Sequence, residues 1–182
     1  MNKKIILYTI IIYIIIINLQ KNKYYWFYPT IPLYPNNEYE VQNVKKYIEK
    51  RNQDDIDFFI LTDPSVSYAF TLIVPESVES LNIMFQPISI PILFLKYLFN
   101  RARPKQIDKT LNVLKSKTAD TPAWPSGHAA QAFFLAKVLV KKYPHLKNKL
   151  DDCAERCATA RIYAGLHYES DNSFSKYIVS LF

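Results

Sequence analysis

Glycine is nearly absent from this chain: Gly127 and Gly165 are the two in 182 residues. So sparing a use leaves no general role for flexible turns, and marks both positions as places where backbone must come close to something. Cysteine is as scarce. Cys153 and Cys157 are spaced for neighbouring turns of one helix, a poor arrangement for an ordinary disulfide and a natural one for two small buried apolar side chains. The histidines are His128, His145 and His167, so with no further cysteine no zinc pattern can be completed. Sustained strand alternation and internal repeats are missing, which leaves an all-α reading. No recognised nucleic-acid motif or basic–aromatic stripe occurs, so nucleic acid is not an expected partner. Beyond the N-terminus no apolar segment is both long and free of proline or charge. A multi-pass membrane protein, which needs several runs of about 20 residues, is therefore not expected.

What is present supports one compact domain and a short extension. Hydrophobic residues make up 49% of the chain and aromatics 15%, enough to build a core. The net charge of +7 favours anionic partners such as phosphate esters or lipid surfaces, and equally serves solubility. At the N-terminus Lys3 and Lys4 precede Ile5 to Leu19, an almost unbroken apolar run of roughly 15 residues. Tyr24, Tyr25, Trp26, Phe27 and Tyr28 follow, with the aromatic character of a membrane interface. No small-x-small cleavage site comes after Leu19. Residues 1–23 are therefore expected to be an uncleaved N-terminal hydrophobic helix, a single-pass anchor touching the membrane through residues 5–19. Residues 24–37, with Pro29, Pro32 and Pro35, are expected to be a linker, and 38–182 a helical domain.

Inside that domain helical spacing begins near Glu38, and acidic residues open a second helix over 54–61. A third helix is predicted over 66–74, and another over 92–101 after the interruptions at Pro87 and Pro91. Residues 105–121 read as a long loop. Residues 128–143 form a clear helix closed by Pro144, followed by a helix from Leu146 to about Leu166 and a short last segment from Asp171.

Three short segments carry chemistry. In the first, Lys96 and Arg103-Pro104, a helix would place both cations on one face before Pro104 ends it. Two cations on one face want an anion, although a basic helix end meeting its own dipole is the plainer reading. In the second, Pro125-Ser126-Gly127-His128, Ser126 is a good N-cap and the bare first-turn amides form an anion site. Gly127 lets the backbone approach, and His128 at the edge is placed to give a proton near neutral pH. In the third, Arg161 through Asp171, a carboxylate four residues from His167 can hold one ring nitrogen and leave the other as base or nucleophile. Arg161 adds a planar, permanently charged clamp, and Gly165 removes a side chain next to His167. Each segment alone has an ordinary structural reading. Together they hold both glycines and two of the three histidines.

These segments resemble the three signature motifs of the type 2 phosphatidic acid phosphatase superfamily, which also contains bacterial class A acid phosphatases and vanadium-dependent haloperoxidases. Lys96 and Arg103-Pro104 match K-x6-R-P, Pro125 to His128 match P-S-G-H, and Arg161, His167 and Asp171 match S-R-x5-H-x3-D. The resemblance spans residues 96–171 and implies an all-α helical bundle acting as a metal-independent phosphoric monoester hydrolase. It implies His167 as the nucleophile forming a phosphohistidine, Asp171 as its orienter, and His128 as acid then base. Lys96, Arg103, Ser126, Gly127 and Arg161 would hold the phosphate oxygens. No cofactor is implied, except vanadate if the chain is instead a haloperoxidase. A catalytically decayed membrane-tethered protein is the third expectation. The substrate would be a phosphorylated small molecule or lipid. The single anchor is more like the acid-phosphatase branch than the six-span lipid phosphatases. The chain departs from the pattern at Ala160, where serine is usual, and ends eleven residues after Asp171.

Overall fold

The computed structural model describes residues 6, 8, 9, 25, 26, 30 and 33–182. The described residues form an all-α bundle: α1 (Asn37–Lys50), α2 (Gln53–Thr62), α3 (Ser67–Phe70), α4 (Val78–Met84), α5 (Gln86–Phe99), α6 (Pro104–Ile107), α7 (Gly127–Lys142), a 3-10 turn (Pro144–Leu146), α8 (Lys147–Tyr163) and α9 (Glu169–Ser180). Local chemistry starts these helices. The Asn36 side chain accepts the amides of Glu38 and Tyr39, Asn52 and Asp55 make a reciprocal capping box, and Ser77 and Ser126 cap α4 and α7.

The centre of the bundle is the pair α7 and α8, with α9 and α5 against α7 and α1 and α2 against α8. The facing surfaces are built from small side chains: Ala129, Ala132 and Ala136 on α7, Ala154, Cys157 and Ala158 on α8, all buried. Small residues let the two backbones approach closely. Larger side chains from the remaining helices, including Phe70, Leu81 and Ile88, close the core around them; full burial of such side chains contributes roughly 1.5–3 kcal/mol each. Both cysteines are buried and free, in keeping with their apolar reading.

Several boundaries differ from expectation. The helix predicted over 66–74 is confined to α3, with turns after it. The helix predicted from Ile92 begins six residues earlier, at Gln86, because Pro87 occupies the first turn, where the missing N–H costs nothing. Pro91 lies inside α5 and is tolerated there while Ile88 and Ile92 on either side are buried. The same helix ends at Phe99 rather than Arg101, because Asn100 adopts a left-handed conformation (φ 50°). Asn100 then ties down part of the segment expected as a linker: its carbonyl accepts the Tyr25 amide, and its side chain bonds the amide and carbonyl of Trp26.

The expected anchor at 5–19 lies outside the described residues except for Ile6, Tyr8 and Thr9. Among the described residues no single helix is long and apolar enough to cross a membrane, so an expected transmembrane helix has no support there. The bent pair α4–α5, broken by 58°, meets the length and composition together. Its outer face exposes Ile83, Ile90 and Phe94.

Candidate active site

His167 follows directly on the end of α8. Gly165 (φ +78°) terminates that helix as a Schellman motif, with its amide on the Ile162 carbonyl and the Leu166 amide on the Arg161 carbonyl. The chain reverses and delivers His167 into the interior, 2% exposed. Its Nδ1 lies 2.9 Å from Asp171 Oδ2, on the first turn of α9. The same carboxylate oxygen accepts the Tyr168 amide at 2.9 Å, and the other oxygen accepts Arg101 Nη1 at 2.7 Å. With Nδ1–H donated to a carboxylate, Nε2 carries the lone pair.

That lone pair faces Arg103, whose Nη1 is 2.9 Å from His167 Nε2 and also donates to the Leu166 carbonyl. Lys96, on the last turn of α5, is buried and donates to the Pro122 carbonyl at 2.7 Å. Lys96 and Arg103 do not share a helix face as expected. The helix stops between them at the left-handed Asn100, and Arg103 reaches the site from extended backbone. Pro104 likewise starts α6 instead of ending a helix. Arg161 is buried on α8, with Nη1 on Asp63 Oδ1 at 2.7 Å and Nη2 on the hydroxyls of Ser116 and Thr118. Its Nε is buried without a partner among the described residues, an unsatisfied donor that an oxyanion would fill.

The second segment closes the other side. Trp124 stacks on Phe174 with ring centroids 4.2 Å apart and packs against Phe99, which fixes the chain entering α7. Ser126 caps α7, and its own amide bonds the Asp171 carbonyl, so the α7 start is registered against the His167–Asp171 pair. The first-turn amides after Ser126 have no intrahelical acceptor. A Cβ on Gly127 would stand 3.6 Å from Lys96 Cε, so the Lys96 side chain passes beside that bare turn. His128 is half-buried, with Nε2 3.0 Å from the Asp63 carbonyl; that bond leaves Nδ1 as its free nitrogen.

The electrostatics are those of an anion hole. Burial, then Arg103, lowers the Lys96 pKa well below its usual value. Burial, then Arg161, lowers Arg103 to about 10. Burial and the surrounding cations Arg103, Lys96 and Arg161 hold His167 well below its usual range, so the ring is neutral. Burial, then Arg161, lowers His128 to about 3. Asp63 is pushed up by burial, but bonds from Ser116, Lys117 and Arg161 outweigh that and bring it to about 2. Among the described residues no group of three or more His, Cys, Asp or Glu side chains is placed to hold a metal ion.

All eight residues expected at the site thus fall on one region of the bundle, linked through Asp171, Asp63 and Gly127. Gly165 is a correction. It does not clear space beside His167; a Cβ there would meet Val113 Cγ2 at 2.9 Å and Ile48 Cδ1 at 3.0 Å, so its roles are helix termination and packing. Ala160 is buried in an apolar cluster with Phe59, Ala164 and Leu166. Two residues at the site escaped the sequence reading. Arg101, fully buried, joins Asp171 to Glu40 and Asn37, and Asp63 holds Arg161 by its carboxylate and His128 by its carbonyl. A cleft of about 450 Å³ opens beside Lys96, Gly127 and His128 and runs out between α4, α5 and α7.

A family model described as PAP2 superfamily matches residues 65–179, well over half of the chain. No curated protein matches it.

Proposed function

The chain belongs to the PAP2 superfamily, and from that premise we propose that it is a phosphatase that hydrolyses a phosphoric monoester through a phosphohistidine at His167. Membership carries phosphatase or haloperoxidase-type chemistry; the choice between them and the roles below are our reading. The observation that carries it is the state of His167: neutral, tautomer fixed by Asp171, its Nε2 2.9 Å from Arg103 inside a group of three buried cations.

In the first step Nε2 of His167 attacks phosphorus, the bond from phosphorus to the ester oxygen breaks, and the leaving oxygen takes a proton from His128. In the second, His128 takes a proton from water, the resulting hydroxide attacks phosphorus, and the P–N bond breaks. The sum is ester plus water to alcohol plus phosphate. Lys96, Arg103, Arg161, the Ser126 hydroxyl and the amides at Gly127 hold the oxygens and stabilise charge in the transition state. With its pKa lowered to about 3, His128 must gain a proton to act as acid. A phosphate dianion beside it supplies the negative field that raises its pKa, which makes substrate binding and proton uptake one event. The apolar run at 5–19 would tether the domain to a membrane.

The test is hydrolysis of p-nitrophenyl phosphate by the full chain in detergent with EDTA present. Turnover in the wild type that vanishes in His167→Ala supports the reading; equal turnover in both sinks it. Halide oxidation that requires added vanadate and peroxide, without phosphatase turnover, would assign the haloperoxidase chemistry instead.

A further inference from the structure

The hydrogen-bonded chain behind His167 does not end at Asp171, and its far end carries an inference that rests on the phosphatase reading above. Asp171 Oδ1 accepts Arg101 Nη1 at 2.7 Å, and Arg101 Nη2 donates to Glu40 Oε2. Glu40 lies on the first turn of α1, well before residue 65, where the family match begins. Its carboxylate also accepts the Ser170 hydroxyl and, at 3.3 Å, the Ser170 amide, which ties it to the residue beside Asp171. Arg101 Nε donates to Asn37 Oδ1 at 2.8 Å, and Asn37 sits three residues before Glu40 on the same face of α1. The guanidinium is fully buried, with the Tyr168 ring centroid 3.9 Å from Cζ and that of Tyr34 5.0 Å away. Asp171 is fully buried and Glu40 nearly so. Water is kept off these charges, so they act on one another more strongly than surface charges do.

The charges along this chain decide what the imidazole feels. The groups that face the ring from the other elements are Lys96 on α5, Arg103, Arg161 on α8 and His128 on α7, which are cations or neutral. Asp171 is the anion in contact with the ring, and Arg101 by itself would cancel it. Glu40 puts a second carboxylate on the same guanidinium, so Glu40, Arg101 and Asp171 together carry one net negative charge. That charge matters as the P–N bond forms. Nε2 gives its lone pair to phosphorus while Nδ1 keeps its proton, so the ring becomes positive. A negative charge fixed behind the ring stabilises that state and needs no rearrangement to do so.

We propose that Glu40 is a positioning residue for phosphoryl transfer: acting through Arg101, it keeps Asp171 electrically effective against His167, so the first turn of α1 belongs to the active site. Glu40 touches neither the imidazole nor the cations that would hold phosphate. Its effect therefore falls on the rate of P–N bond formation and not on anion binding.

The experiment measures kcat/KM for p-nitrophenyl phosphate and the inhibition constant of inorganic phosphate, using the full chain in detergent. The wild type is compared with Glu40→Gln and with the double variant Glu40→Gln/Asn37→Asp. Glu40→Gln keeps the shape of the side chain and removes its charge. Its kcat/KM is expected to fall about tenfold or more, the order of effect of one buried unit charge near a reacting group, while the phosphate inhibition constant does not rise. The double variant returns a carboxylate to Arg101 through Nε, and is expected to recover most of the lost kcat/KM. A purely structural role would leave the double variant, with two altered side chains, no better than the single one. Turnover unmoved in Glu40→Gln, a loss matched by an equal rise in the phosphate inhibition constant, or a loss that the double variant does not recover overturns the proposal and leaves the phosphatase reading standing. If Glu40→Gln does not fold, the double variant decides: turnover near that of the wild type supports the proposal, and a deficit of about tenfold overturns it. Absence of His167-dependent turnover in the wild type overturns both.

Discussion

Arg101 and Arg103 grip opposite ends of one hydrogen-bonded pair: Arg101 Nη1 bonds Asp171 Oδ1 at 2.7 Å, and Arg103 Nη1 meets His167 Nε2 at 2.9 Å. The two arginines are two apart in extended backbone, a spacing that returns both side chains to one face. One fixes the carboxylate that orients the imidazole; the other sits where phosphate oxygens would arrive. Arg101 also pairs with Glu40. Removing it leaves two buried carboxylates uncompensated, a loss of roughly 3–5 kcal/mol. Arg101→Met should lose that much stability in urea unfolding, whereas Arg103→Met, which strips no carboxylate of a partner, should lose less and raise KM.

Asp63 is the counter-charge of Arg161. Asp63→Asn should destabilise the protein by roughly 3–5 kcal/mol in phosphate-free buffer. Added phosphate should raise the Tm of the variant more than that of the wild type, because the anion supplies the missing charge. An equal rise in both would remove Arg161 from the anion site.

Acidification in phosphate-free buffer should unfold the protein early. His128 is lowered to about 3 and His167 is also strongly lowered, so between pH 6.5 and about 3 the unfolded chain binds protons that the folded chain does not. Stability therefore rises with pH through that window and is lost as pH falls through it, by up to about 1.4 kcal/mol per pH unit for each histidine. Asp63, at about 2, adds a further loss in the same direction below about pH 4. Unfolding free energy measured from pH 7 to 5 should show this slope, and saturating phosphate should flatten it by raising both histidine pKa values.

The two glycines should respond differently. Gly165→Ala forces a side chain into φ +78° and within 2.9 Å of Val113, and should cost roughly 1–3 kcal/mol of stability. Gly127→Ala meets Lys96 Cε at an ordinary 3.6 Å, so the fold should survive with weaker phosphate inhibition. Thermal melts and phosphate Ki values for both variants check this contrast.

Much of this arrangement was legible in the chain. Ser126 before an apolar run, with Lys141 and Lys142 at its far end, announces α7, and the acidic start at Asp54 and Asp55 announces α2. The motif residues were legible because their types and spacing are unusual together. Arg101 and Asp63 were not, because their meaning lies in partners 61 and 98 residues away, Glu40 and Arg161. The break between Lys96 and Arg103 was also hidden: it depends on Asn100 taking a left-handed conformation while bonded to Trp26. Gly165 was read correctly as a constrained position, but its constraint is the helix end and Val113, not the imidazole.

The central claim is a covalent bond between phosphorus and Nε2 of His167. Labelled p-nitrophenyl phosphate mixed with His128→Ala, quenched at alkaline pH and mapped by mass spectrometry, tests it directly, since loss of the base should slow hydrolysis of the intermediate. The account predicts one phosphorylated peptide, carrying the label on His167 and absent from His167→Ala. Label on another residue, or none while turnover persists, would contradict it.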